Sequence, residues 1–140
     1  MKRINSRIKA LIVLYDEDLM KNPADEENLD KLFKEEDENF SYDINYYNLL
    51  VKGVKENLYA IDKLISICLK NYTLDRLSYI DRNLIRIGTF EMKYTDTPKN
   101  VIINEIVNLS HEYSEVEGFE TAKFNNALLE RISKRIEDGK

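Results

Sequence analysis

The chain has one histidine, His111, and one cysteine, Cys68. A nucleophilic triad or dyad needs a histidine base, so His111 would have to supply it. Glu112 is its neighbour, and no second His or Cys stands at metal-ligand spacing. Its setting is that of a surface histidine on a charged helix. Cys68 lies on an apolar stripe beside Ile65 and Leu69, where it reads as a small core residue and not as a nucleophile. Neither common Gly-rich phosphate loop is present. The chain holds 26 acidic residues, too many for spacing alone to single out a catalytic pair. The residues that could do chemistry give no support for an enzyme and imply no metal or cofactor.

Binding chemistry has more to work with. Residues 1–9 carry Lys2, Arg3, Arg7 and Lys9 with no acid. Residues 16–39 carry eleven acids against three lysines, a local −8, so the remaining chain holds +3 of the total −5. A mildly basic body with a separate acidic segment can bind a polyanion locally. The plainer reading of both runs is a solvated helix face. Nine tyrosines are present, among them Tyr15, Tyr42, Tyr46, Tyr47, Tyr59 and Tyr72. Exposed aromatics between cations can stack on unpaired bases. Most of these tyrosines sit at helical spacing with Leu and Ile, which favours packing with a wet hydroxyl.

The elements that must position these groups are helical. A length of 140 residues is one domain's worth. Apolar residues make up 43% and charged residues 34%, an ordinary water-soluble balance. Four Gly and two Pro leave long uninterrupted segments. Ile8, Leu11, Ile12 and Tyr15 predict a first helix over 5–20, capped by Asn5 or Ser6, with Arg3, Arg7 and Lys9 projecting from its start. Asn22-Pro23 breaks it. A short acidic helix over 25–37 comes next, with Leu29, Leu32 and Phe33 as its strip. Tyr47, Leu50, Val54, Leu58, Ile61, Leu64, Ile65 and Cys68 form one stripe over 43–70. Gly53 within it suggests a close crossing, and a break there stays open. Further helices are predicted over 77–93, 99–115 and 119–137, separated by Thr95–Pro98 and by Glu117-Gly118. The pattern is one all-α domain, 1–140, of six or seven packed helices. No apolar run spans a membrane, no cleavable leader is apparent, and a lone cysteine fits a reducing cytoplasm.

Three blocks in the last third carry a resemblance. They are Asp81-Arg82…Leu84…Arg86…Glu91, Pro98…Val101…Ile103-Asn104-Glu105, and Lys123-Phe124…Asn126. Weaker matches run through Ala10-Leu11, Leu14-Tyr15, Leu49-Leu50, Gly53-Val54, Ile61-Asp62 and Leu64-Ile65. Jointly these resemble the transcription antitermination factor NusB family.

That resemblance implies an all-helical, non-enzymatic protein that binds boxA-type single-stranded RNA together with the ribosomal protein NusE. It implies action on RNA polymerase during ribosomal RNA transcription. By the same resemblance, Lys2, Arg3, Arg7 and Lys9 would meet RNA phosphates. Lys123, Phe124 and Asn126 would belong to the RNA site, with Phe124 stacking on a base. Asp81 and Arg82 would lie near the partner-protein face. The residues themselves leave other roles open: Phe124 as core, and Arg86 with Glu91 or Glu105 as an internal ion pair. The basic arm is thinner than the family's, and Asn125 stands where the family has an apolar residue. Fewer phosphate contacts imply weak RNA binding by the chain alone, rescued by NusE. Two other roles fit the same residues: a protein-interaction module whose acidic segment meets a basic partner, and a stand-alone relative of the domain at the front of ribosomal RNA cytosine methyltransferases.

Overall fold

A computed structural model describes residues 2–114 and 120–139. Among them are seven α-helices and one 3-10 turn: α1 Lys2–Met20, α2 Glu26–Glu36, α3 Ile44–Glu56, α4 Leu58–Cys68, the turn Leu74–Arg76, α5 Tyr79–Tyr94, α6 Lys99–Tyr113 and α7 Thr121–Asp138. The predicted separator Glu117-Gly118 lies outside the described residues.

Capping residues set several boundaries. Asp25, Asp43 and Ser78 accept the backbone N–H of Asn28, Tyr46 and Asp81 at the starts of α2, α3 and α5. Each such cap contributes about 1 kcal/mol. Lys21 closes α1 in the left-handed region, at φ 60. Thr95 ends α5, its hydroxyl donating to the Glu91 carbonyl at 2.7 Å.

The first helix begins at Lys2, so Asn5 and Ser6 are not its caps. They tie it to the segment entering α3 instead. Asn5 Nδ2 donates to the Ser41 carbonyl at 2.7 Å, and Ser6 Oγ accepts the Asp43 N–H at 2.9 Å. The stripe over 43–70 breaks at Asn57, which donates from Nδ2 to the Gly53 carbonyl at 2.8 Å. The break shifts the phase of α4, so Leu58, an expected core residue, is 38% exposed while Ile61 and Ile65 are fully buried.

The centre of the domain is α5, against which α1, α3, α4, α6 and α7 all pack. Leu84, Ile85, Ile87, Phe90 and Met92 are buried, and so are Asn83, Arg86, Thr89 and Glu91. A one-sided apolar strip would account for only part of this burial, since polar and charged side chains share the interior. Two glycines admit the neighbours. A Cβ on Gly53 would lie 2.2 Å from Cε1 and Cζ of Phe90, so α3 crosses α5 with the ring against its backbone. A Cβ on Gly88 would stand 3.1 Å from Ile106 Cγ1 and Leu129 Cδ2. No helix among the described residues is long and apolar enough to cross a membrane.

The Gly53 crossing is testable. Gly53→Ala must displace the Phe90 ring, and overpacking of this kind costs about 1–3 kcal/mol. A urea titration followed by circular dichroism should show that loss. A midpoint equal to the parent's would mean that the crossing is looser than described.

Candidate nucleic-acid interface

The basic residues of α1 divide by helix phase. Lys2 and Arg3 are exposed, whereas Arg7 and Lys9 are buried at 3% and 2% relative exposure. Arg7 does not project from the helix. Its Nε and Nη2 donate to Oε1 and Oε2 of Glu91, each at 2.8 Å, and both side chains are enclosed. The Tyr46 hydroxyl donates to the same carboxylate. Burial opposes the Arg7 charge, but the Glu91 bonds and charge outweigh it and hold the guanidinium protonated. Burial and Glu91 both raise the Tyr46 pKa, so the phenol stays a donor.

Lys9 is likewise an internal cation. Its Nζ lies 2.6 Å from the Tyr42 hydroxyl, 3.0 Å from Asp30 Oδ1 and 3.4 Å from Glu26 Oε1. The rings of Tyr42 and Tyr47 flank it at 4.6 and 4.5 Å. Tyr47 donates to Glu26 at 2.8 Å. The expectation that Arg7 and Lys9 meet phosphates is corrected here, because both side chains are buried and already paired, Arg7 with the enclosed Glu91 and Lys9 with the half-exposed Asp30 and Glu26. The cations of the N-terminal arm left at the surface are Lys2 and Arg3.

The late motif starts α7. Lys123 is exposed, and among the described residues it is paired with Glu120 across 3.7 Å at the surface. Asn126 is exposed. Phe124 is half-buried, its ring 5.7 Å from that of Tyr72, so it belongs partly to the core and partly to the surface. Asn125 is completely buried. Its Nδ2 donates to Asp81 Oδ1 at 2.9 Å and Ser110 Oγ at 3.0 Å. Ser114 Oγ donates to the same Asp81 oxygen, and Ser78 Oγ donates to its other oxygen at 2.9 Å. These partners satisfy the amide's NH2 group, while Oδ1 is buried without a hydrogen-bond partner among the described residues.

The expected partner-face pair divides in the same way. The Asp81 carboxylate is mostly buried and accepts from Ser78, Ser114 and Asn125, joining α5 and α7 with the end of α6. Arg82 is partly open, lying over the Tyr79 ring at 4.7 Å and reaching Asp18 Oδ2 at 3.3 Å. Arg86 pairs with neither Glu91 nor Glu105. It grips Asp62 through two bonds of 2.9 Å and reaches Asp18 at 3.3 Å. Burial alone would raise the Asp18 pKa, but Asn83's hydrogen bond and the charges of Arg86 and Arg82 lower it.

The exposed candidates do not form one compact patch. Arg7, one turn from Arg3, meets Glu91, while Asn125, beside Phe124, meets Asp81. Those anchors are ten residues apart on α5, about 15 Å at 1.5 Å per residue. One end of the bundle carries Lys2 and Arg3, and the other carries Lys123, Phe124 and Asn126. An extended strand can reach both, whereas a compact ligand cannot. Sequence reasoning missed the internal anchors Tyr46, Tyr42 and Asn125. The signal for Asn125 was its departure from the family pattern.

Two outcomes test this wiring. Glu91→Ala leaves a buried guanidinium without its counter-charge and should cost about 3–5 kcal/mol in urea unfolding; a loss below about 1 kcal/mol would refute the pairing. Asp18, its pKa lowered from the ordinary 3.8, contributes stability that is present above that value and lost as pH falls through its folded pKa. Asp18→Asn should therefore destabilise at pH 7, and the gap to the parent should close as pH drops below about 4. A gap that widens in acid would reverse the assignment.

Comparison with known proteins agrees with this architecture. Residues 4–134 match the sequence model of the NusB family. The transcription antitermination protein NusB of Staphylococcus aureus is 34% identical over 139 residues, covering 96% of this chain and 100% of that protein. The solved structure of T. maritima NusB superposes with a TM-score of 0.76 at 31% identity, covering 96% of this chain and 92% of that one. A structure of antitermination factors NusB and NusE in complex with dsRNA gives 0.75 at 28% identity, over 96% and 97% of the two chains. With the match running almost end to end, and with a seven-helix bundle to go with it, this chain belongs to the NusB family.

Proposed function

We propose that this protein is a transcription antitermination factor of the bacterial cytoplasm. It binds boxA-type single-stranded RNA together with ribosomal protein NusE and acts on RNA polymerase during ribosomal RNA transcription. Catalysis has no part in this reading. The observation that carries it is the family match over nearly the whole chain, joined to exposed cations at both ends of the bundle. Lys2 and Arg3 would meet phosphates at one end, and Lys123 at the other. Phe124 would present the outer part of its ring to a base, with Asn126 beside it for a base edge or a backbone group. Arg82 would stand on the NusE side.

The internal use of Arg7 and Lys9 supports a specific division of labour. Few phosphate contacts remain for this chain, and each contact contributes both affinity and salt dependence. RNA binding would then be weak alone and strengthened by NusE. The same observation favours a second reading, a NusB-type protein-interaction module with little RNA binding of its own.

Fluorescence anisotropy of a labelled boxA-type RNA, with and without NusE across a salt series, separates the two. The first reading expects salt-sensitive binding that tightens with NusE. A Lys2→Ala, Arg3→Ala, Lys123→Ala triple should lower the salt slope by about 0.7 unit per lost contact, about two units in all. NusE binding without any RNA binding, alone or in complex, would establish the second reading.

A further inference from the structure

A cleft of about 500 Å³ opens between the start of α1, α3 and the α5–α6 connection, lined by Arg3, Tyr46, Leu49, Tyr94, Asp96 and Pro98 among others. We propose that this cleft is a subsite for one unpaired nucleotide of the bound RNA, its base stacked on Arg3 beside Tyr94 and read by Asp96. The inference rests on the RNA-binding reading above and adds to it a place and a base preference.

The floor of the cleft is rigid. Tyr46 is buried, and its hydroxyl is fixed on Glu91, which Arg7 holds from the other side. The Arg3 guanidinium lies 4.3 Å from the Tyr46 ring centroid. An arginine supported on one face by an aromatic ring offers its other face as a stacking plane for a base, and its N–H edge to a phosphate. Tyr94 forms a second wall. It is 42% exposed, and its ring is held against Phe90 with centroids 5.3 Å apart. Lys93 Nζ sits 5.6 Å from the Tyr94 ring, a further cation for a flanking phosphate.

The unsatisfied groups select the occupant. Arg3 and Asp96 make no hydrogen bond or ion pair among the described residues. By contrast, the Thr95 hydroxyl is taken up by the Glu91 carbonyl. An apolar protein side chain entering here would leave a cation and a carboxylate desolvated and unpaired, which is costly. A nucleotide matches both, with phosphate toward Arg3 and a base donor toward Asp96. A carboxylate accepts only, and it repels phosphate, so Asp96 faces a donor of the nucleotide, which the proposal assigns to the base edge and not to the ribose 2′-OH. Bases with an exocyclic amine (adenine, cytosine or guanine) are favoured over uracil. The volume falls in the usual range for a small-ligand site, roughly 300–1,000 Å³.

The test uses the full chain with NusE and a labelled boxA-type RNA whose positions are replaced one at a time by an abasic nucleotide. The expected result is one position where base removal weakens parent binding about tenfold but leaves Tyr94→Ala unaffected. Asp96→Asn should keep the affinity but lose the preference against uracil at that position. Tyr94→Phe should behave as the parent, and thermal melts should show each variant folded. Parent-like affinity and an unchanged abasic profile in Tyr94→Ala, with the preference against uracil kept in Asp96→Asn, would overturn the subsite while leaving RNA binding intact. Loss of NusE binding in these variants, with RNA binding by the free chain unchanged, would place protein in the cleft and also overturn it. Absence of RNA binding by the parent would remove the reading beneath it.

Discussion

The domain depends on the need to neutralise charge at its centre. Helix α5 is enclosed by five others, yet it carries Arg86 and Glu91 inward. An ion there is tolerated only with a partner in good geometry, because a lone buried charge costs several kcal/mol. Arg7 of α1 answers Glu91, and Asp62 of α4 with Asp18 of α1 answers Arg86. Two such pairs on α1, eleven residues apart, fix its antiparallel register on α5. A slip of one turn would unpair both. Apolar contacts supply most of the cohesion, while these pairs specify which arrangement of the helices is used. The surface is set by that register: with Arg7 held inside, Arg3 one turn earlier must emerge at the end of the bundle, over Tyr46.

Much of this architecture was legible in the chain. The helical periods of α1, α5, α6 and α7, the stop at Thr95–Pro98 and the acidic α2 all arise from residue pattern. The close crossing at Gly53 was legible too, since a glycine in a helical stripe needs a reason. The break at Asn57 was visible only as an open question, because apolar spacing continues through it and the phase change shows only in Leu58. The central position of α5 was hidden by its own composition. The residues left Arg86 open as an internal ion pair with Glu91 or Glu105, and only the partners on α1 and α4, far away in sequence, show that each is paired elsewhere.

The candidate site was read less well, for a related reason. A run of cations at an N-terminus looks alike whether its side chains face solvent or acids. Helix phase separates Lys2 and Arg3 from Arg7 and Lys9, but the phase alone does not say which side is covered. That depends on Glu91, Asp30 and Glu26, acids that charge counting assigns to other segments. Phe124 shows the limit in another form. Its spacing fits the core and its neighbours fit a surface motif, and the structure gives it both environments. Asn125, which the family pattern marked only as a departure, proved to be the residue that bonds α7 to α5 and α6.

Pairing charge across elements gives the second helix a role that its packing hides. None of the α2 residues is fully buried, and its apolar contacts are few: Leu29 against the core and Phe33 stacked on Phe40. Its acids nevertheless hold an ammonium that belongs to the core helix α1. Lengthening the connections on either side is cheap, since doubling a loop costs only about 0.6 kcal/mol. Excising the helix is another matter, because Lys9 would lose both of its carboxylates. A helix without a buried residue is thereby tied to the integrity of a core helix, and its sequence is free in length but bound to keep its negative sign.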